Sequence, residues 1–288
     1  MLEVRLDHHD IDLALGGHRW TGVFPDASDF RYSPRPGGFD ARLKLLAGKS
    51  CAGVGVLDEA AARHLADFLK PKPVAFFADI IDGTLPQQQP LQVTRLLKQS
   101  RGRRIVGLLG HLTEVKNLDL FLRIATQPAQ RDLFFVLAGQ FEPLGVSAAT
   151  RRMLDLARAG HWENVLVFSD RIASEADFNA LIASTDVVFS VYRRFSRSSA
   201  ILSKAARWHR PIVVADGYCM ADRVRAYSLG CCVSDEREDT CVAAIRHLIE
   251  NPPDRDGFDR FARDFSRDTF QNQIHAFIDR LLEVAVPS

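Results

Sequence analysis

Six short apolar runs recur between residues 104 and 234, and their repetition constrains the fold more than any other feature of the chain. They are RIVGLLG (104–110), LFFVLAG (133–139), NVLVFSD (164–170), DVVFSV (186–191), PIVVAD (211–216) and GCCVS (230–234). A strand with one face in water alternates apolar and polar residues. Runs apolar throughout fit strands covered on both faces, as in a parallel sheet. The stretches between them carry helical spacing. Residues 117–127 place Leu118, Phe121, Leu122 and Ala125 on one face. Ser147 is placed to cap a helix over 147–159, and Ser174 to cap another, with Asp177 at the third position in a capping-box-like pattern. Helical stretches at 198–208, 222–228 and 240–250 continue the alternation. Strand and helix repeated in this way predict an α/β fold, a doubly wound, Rossmann-like parallel sheet with right-handed crossovers.

The rest of the chain is less regular. CAGVGVLDE (51–59) and the following AAARHLADFL (60–69) read as a strand and a helix, and PVAFFADI (73–80) as a second strand. Residues 16–50 are rich in Gly and Pro, show no period, and read as largely irregular. Residues 85–104 read as a linker with a short helix. After Pro252 and Pro253, residues 258–284 carry the pattern of two amphipathic helices. The expected division is a partial N-terminal region over 1–90, a linker over 91–103, a Rossmann-like domain over 104–257 and C-terminal helices over 258–288.

Composition excludes several classes. With 288 residues the chain can bury a substantial core without staples, and at roughly 150 residues per domain one large or two modest domains are expected. Thirty-seven Lys and Arg against 36 Asp and Glu leave a formal charge of +1, so no overall field attracts nucleic acid or an anionic membrane. The five cysteines (Cys51, Cys219, Cys231, Cys232, Cys241) form no CxxC pair and read as reduced thiols. No apolar stretch approaches the roughly 20 residues of a membrane span. The N-terminus lacks the apolar run of a signal peptide. These features give the expectation of a cytoplasmic protein.

In an open α/β sheet, ligands lie beyond the carboxyl ends of the strands, so the loops there are the places to search for chemistry. After 104–110, Gly110 permits close backbone approach, His111 follows, and Lys116 stands at the mouth of the next helix. Lys116 reads either as an ordinary surface lysine or as a cation placed beside helix N–H groups to hold a diphosphate. After 186–191, Arg193, Arg194 and Arg197 alternate with Ser196, Ser198 and Ser199 ahead of a helix. That turn is either a solvated basic loop, with Ser199 a simple helix cap, or a second anion-binding element. Asp7, His8, His9 and Asp10 are metal-ligand types, but four consecutive positions cannot all face one ion, so they read as exposed polar residues and no metal site is expected. Trp162 and Trp208 read as core. GxGxxG, GxxxxGK[ST] and GxSxG are all absent.

Taken in order, IVGLLGHLTEVKNLDLFLRIA, LFFVLAG, NVLVFSDRIASEADFNALIASTDVVFSV and SSAILSKAARWHRPIVVADG resemble the donor-binding half of GT-B glycosyltransferases of the retaining family-four (group 1) type. The resemblance covers about residues 103–250, more weakly 51–85. It implies a GT-B architecture with an abbreviated N-terminal α/β portion, the 258–288 helices packing back on that portion, and a nucleotide-diphosphate sugar as donor substrate with no further cofactor. Lys116 falls on the lysine that grips the donor diphosphate, and His111 stands where the family has an arginine. Gly110, Arg194, Arg197, Ser198 and Ser199 complete the implied diphosphate site. Asp170, Arg171 and Ile172 match the segment whose backbone contacts the base, and the turn at Asp216 and Gly217 resembles one facing the donor. The family's two glutamates spaced by seven residues fall on Ser196 and Lys204. Lys204 thus occupies the position that binds the ribose, yet a lysine cannot accept a hydrogen bond there.

The resemblance implies metal-independent transfer of a sugar to an acceptor, without identifying a catalytic base. The alternative expectation is a non-catalytic or truncated GT-B-like protein that binds a nucleotide or a partner, with a partner supplying the missing N-terminal half.

Overall fold

The computed structural model describes residues 18–24, 41–234 and 237–285. The segment containing Asp7, His8, His9 and Asp10 lies outside the described residues. In chain order the first elements are β1 (Trp20–Phe24), α1 (Ala41–Ala47), β2 (Cys51–Val56), α2 (Glu59–Phe68), β3 (Val74–Phe76) and α3 (Leu91–Ser100). Next come β4 (Arg104–Leu109), α4 (Leu118–Ala125), β5 (Leu133–Ala138), α5 (Ala148–Arg158), β6 (Val165–Phe168) and α6 (Glu175–Ala183). Then follow β7 (Val187–Ser190), α7 (Ala200–Arg207), β8 (Ile212–Ala215), α8 (Cys219–Tyr227) and β9 (Gly230–Val233). Helices α9 (Glu238–Glu250), α10 (Arg255–Asp264) and α11 (Arg267–Ala285) end the described chain. These elements gather into two compact units, one of residues 1–79, 196–198 and 266–288, the other of 80–195 and 199–265.

The smaller unit holds a parallel sheet ordered β1-β2-β3. Leu46, Val54, Val56, Leu65, Leu69 and Val74 are its buried core. The Asp58 carboxylate caps α2, accepting from the amides of Ala60 and Ala61 at 2.8 Å. Helix α11 lies against β3, where Phe77 meets Phe270 and Phe277 edge-on at 5.9 and 5.5 Å. The Phe77 ring rests on Gly55, where a Cβ would come within 2.0 Å of it. Residues 20–24 and 41–47 correct the expectation that 16–50 is irregular. Strand β1 is only five residues long and mostly exposed, so its apolar period is faint. Its hydrogen bonds come from β2, beginning with Trp20 N to Ser50 O at 2.8 Å, a pairing no local pattern reveals.

The larger unit is a six-stranded parallel sheet ordered β6-β5-β4-β7-β8-β9. The six apolar runs are its six strands, and β5 is buried at every position. Successive strands step outward on one side of β4 and then, from β7, on the other. The order therefore reverses between β4 and β7, which is the topological switch point of a Rossmann-like fold. Phe121 of α4 packs edge-on to Phe135 at 5.6 Å and tilted on Phe189 at 5.2 Å. All three are 0% exposed, and each such burial contributes about 1.5–3 kcal/mol. Ser147 and Ser174 cap α5 and α6 as their positions predict, accepting from Thr150 N and Asp177 N. Trp162 and Trp208 are only half-buried, which corrects their reading as core residues. Among the described residues no helix is long and apolar enough to cross a membrane.

Candidate functional site

At the carboxyl ends of β4, β5 and β6 a cavity of about 360 Å³ opens in the larger unit. It is lined by Gly110, His111, Gly139, Gln140, residues 171–175 and Phe178. Its floor is backbone. Gly139 has φ +141°, and a Cβ there would lie 1.9 Å from the Gly110 carbonyl oxygen, so only glycine lets the two strand ends meet. The Leu112 amide then donates to Gln140 O at 2.8 Å, extending the β4–β5 pairing past the strands. Its far wall is the N-terminus of α6, whose aligned amides favour an anion.

Four of the residues singled out from sequence, Gly110, His111, Arg171 and Ile172, line this one cavity. Lys116 stands beside it. Its ammonium lies 3.6 Å from the position a Cβ would take on Gly110, donates to Tyr192 Oη at 2.5 Å and sits 3.8 Å from the Tyr192 ring centre. The loops after β4 and β7 are thereby tied together at the switch point. Arg193 strengthens the tie, its amide donating to Val115 O at 2.8 Å and its guanidinium to Asn117 Oδ1 and Asp119 Oδ1 at 3.1 Å.

The other singled-out residues fall elsewhere. Asp170 is exposed and is not among the cavity's lining residues. Arg194, at φ +49°, and Ser199 sit on the loop after β7 within the larger unit. Ser199 occupies the N-cap position of α7, where one of its two readings puts it, without a side-chain capping bond. Ser196, Arg197 and Ser198 belong to the smaller unit, where the Ser198 hydroxyl donates to the Asp79 carboxylate at 3.1 Å. The turn at Asp216 is held by its own partners, the Gly217 amide and Arg225, and these hydrogen bonds keep the Asp216 carboxyl below the usual range, the Arg225 bond most of all.

Lys204 is 3% exposed and does not line the cavity. Its ammonium donates to the Glu175 carboxylate and, at 2.8 Å, to Asn179 Oδ1. Asn179, fully buried, turns its amide nitrogen to the carbonyls of Asp82 and Thr84 at 2.8 and 2.9 Å. The amine of Lys204 thus orients Glu175, and it is the half-exposed Glu175 carboxylate that reaches the cavity wall. Sequence reasoning missed Glu175, Phe178, Gly139 and Gln140. Two signals were present: the glycine ending LFFVLAG, and Glu175 directly after the capping Ser174. The resulting site offers cations (His111 when protonated, Arg171, Lys116), backbone amides and one acceptor carboxylate. That set suits an anion carrying a hydrogen-bond-donating group.

No protein-family model matches the chain, and no curated protein matches its sequence. Solved structures do match. TarM of S. aureus, solved with Fondaparinux, alpha-GlcNAc-glycerol and UDP, superposes with a TM-score of 0.63 at 14% identity, covering 90% of this chain and 50% of TarM. Alr3699/HepE of Anabaena, solved with UDP and glucose, gives 0.72 at 15% identity, covering 93% of this chain and 74% of HepE. Sucrose-phosphate synthase of Thermosynechococcus elongatus gives 0.68 at 14%, covering 92% and 68%. The chain therefore spans about half the length of TarM and about two thirds to three quarters of the other two. Likeness at these identities establishes the architecture alone: a parallel-sheet, Rossmann-like α/β fold of the GT-B type.

Proposed function

We propose that the larger unit binds a nucleoside-diphosphate sugar and that the chain transfers its glycosyl group, without a metal, to an acceptor. The observation that carries this reading is the cavity joining Gly110, His111, Arg171 and Ile172, with Lys116 beside it, at the carboxyl ends of a Rossmann-like sheet. Neighbours of this fold were solved with UDP or UDP-glucose bound. In the proposed reaction the anomeric C–O bond to the diphosphate breaks, the electron pair leaves with the diphosphate, and negative charge grows on its oxygens. On this reading Arg171, Lys116 and the amides at the start of α6 stabilise the charge that develops there. The acceptor oxygen forms the new bond to the anomeric carbon and gives up its proton to the departing diphosphate.

Lys204 and Ser196, where the resemblance expects carboxylates, mark the departure from the family-four pattern. On this reading Glu175, held by Lys204, supplies the acceptor oxygen facing the nucleotide that residue 204 cannot supply. The donor role over residues 104–257, an acceptor role for the N-terminal part, a second polypeptide completing the acceptor side, and a cytoplasmic setting belong to the same proposal. The competing reading, a nucleotide-binding module without turnover, is favoured by one observation: the ammonium of Lys204 is already satisfied by Glu175 and Asn179.

Thermal-shift screening separates the readings. Stabilisation by nucleoside diphosphates but not nucleosides, reduced by Arg171→Gln, is expected for the donor site. Release of sugar from a nucleotide sugar, reduced by Lys116→Ala, distinguishes the enzyme from the module. No shift with any nucleotide overturns both.

A further inference from the structure

A second cavity, of about 650 Å³, lies at the other end of the same sheet. Helix α3 forms one wall, and residues 160–165, the turn leading into β6, form the other. Arg95, Lys98 and Arg101 line it together with Trp162, and Glu163 is its one carboxylate. Elsewhere in this unit Arg104, Arg123 and Arg246 each hold a carboxylate within 3.0 Å. Among the described residues Arg95, Lys98 and Arg101 make no such pair. Three exposed cations thus converge on a concave surface with Glu163 as its one carboxylate, an excess of positive charge that internal stability does not require.

The two walls are fastened before any ligand arrives. Arg103 donates to Ser100 O at 2.9 Å and Gln99 O at 3.1 Å at the end of α3, and to Glu163 O at 3.0 Å across the cavity. Its guanidinium also lies 4.9 Å from the centre of the Phe134 ring. Arg95 is steadied in turn over the Phe168 ring at 5.7 Å. Burial, and to a lesser degree the neighbouring Arg101, push the Arg103 guanidinium down from its usual range, while Glu163 opposes them. A rigid, cation-lined concavity with an indole in its wall loses little freedom when a ligand enters.

We propose that this cavity binds a phosphate-bearing ligand, with Arg95, Lys98 and Arg101 on the phosphate and Trp162 and Leu91 against the group it carries. The phosphate belongs either to a soluble phosphorylated molecule or to a lipid headgroup, and the test has an arm for each. Trp162 reports locally: its fluorescence is the difference between the wild type and Trp162→Phe. Titration with inorganic pyrophosphate is expected to change that signal saturably, in the wild type and in Arg171→Gln alike. The triple variant Arg95→Gln, Lys98→Gln, Arg101→Gln should bind about tenfold more weakly or worse, having lost three charge-assisted contacts. All three side chains are exposed, so the variant should keep the wild-type Tm and circular dichroism. Co-sedimentation with phosphatidylcholine vesicles, with and without phosphatidic acid, is the second arm. Sedimentation that needs phosphatidic acid and the three cations assigns the headgroup, whereas pyrophosphate binding alone assigns a soluble ligand. A wild type that responds to neither, or a triple variant that responds as the wild type does, overturns the proposal.

Discussion

Replacing Lys204 by methionine keeps most of its volume and removes its ammonium. In the folded protein that ammonium bridges Asn179 Oδ1, in the interior, and the Glu175 carboxylate, whose side chain is 52% exposed. The bond to Asn179 is charge-assisted and worth about 1.5–3 kcal/mol. The pair with half-exposed Glu175 adds about 0.2–1 kcal/mol, because water screens that end. Against these stands the relief of no longer burying an ammonium, so the net loss is about 2 kcal/mol. For a unit in the 150–250-residue range this lowers Tm by about 4–8 °C. Lys204→Glu tests the account harder. It restores the residue type that the family resemblance expects, yet it sets a carboxylate against both Asn179 Oδ1 and Glu175. Lys204→Glu should therefore be less stable than Lys204→Met, and neither should bind UDP better than the wild type. Thermal and urea denaturation followed by circular dichroism give the order. A Lys204→Glu variant as stable as the wild type would refute the assignment of Lys204 as the anchor of Glu175.

Other consequences follow from the same geometry. Gly139→Ala places a Cβ 1.9 Å from the Gly110 carbonyl at φ +141°, so a loss of more than about 3 kcal/mol in denaturation is expected, together with loss of nucleotide binding. The Asp132 carboxyl is held below its usual range, chiefly by hydrogen bonds from Arg246. Because the folded value lies under the unfolded one of about 3.9, the pair stabilises the fold near neutral pH. That contribution fades as pH falls through the folded value, and Arg246→Gln should flatten this part of a stability–pH curve without altering the rest. Burial pushes the Cys232 thiol up to about 11, and the Cys231 and Cys51 thiols are raised as well. Thiol reagents at pH 8 should therefore label the native protein slowly and the unfolded chain quickly.

The legibility of this chain followed the range of the interactions concerned. The strands of the larger unit were visible as apolar runs, most plainly β5, β7 and β8, which are buried at every position. Ser147 and Ser174 were visible as caps because a cap bonds only three residues ahead. Strand β1 and helix α1 were not, since β1 depends on pairing with residues about thirty positions later and α1 is barely two turns long. The site divides in the same manner. Gly110, His111, Arg171 and Ile172 could be read from their places just after strands, where this fold puts ligands. The place of Glu175 after the capping Ser174 was visible too, but its orientation was not, because that comes from an amine 29 residues further on. Ser196, Arg197 and Ser198 are adjacent in sequence to Arg194 and Ser199 but cluster with the other unit, a partition that only three-dimensional contacts reveal.

The claim on which the account depends is that the cavity beside Gly110 holds a nucleoside diphosphate through Arg171 and the neighbouring cations. Isothermal titration of the full chain with UDP and with uridine, each repeated on Arg171→Gln, tests it. UDP should bind at this cavity, with uridine at least about tenfold weaker and most of that difference lost in Arg171→Gln. Equal affinity for UDP and uridine, or a UDP affinity indifferent to Arg171, would contradict it.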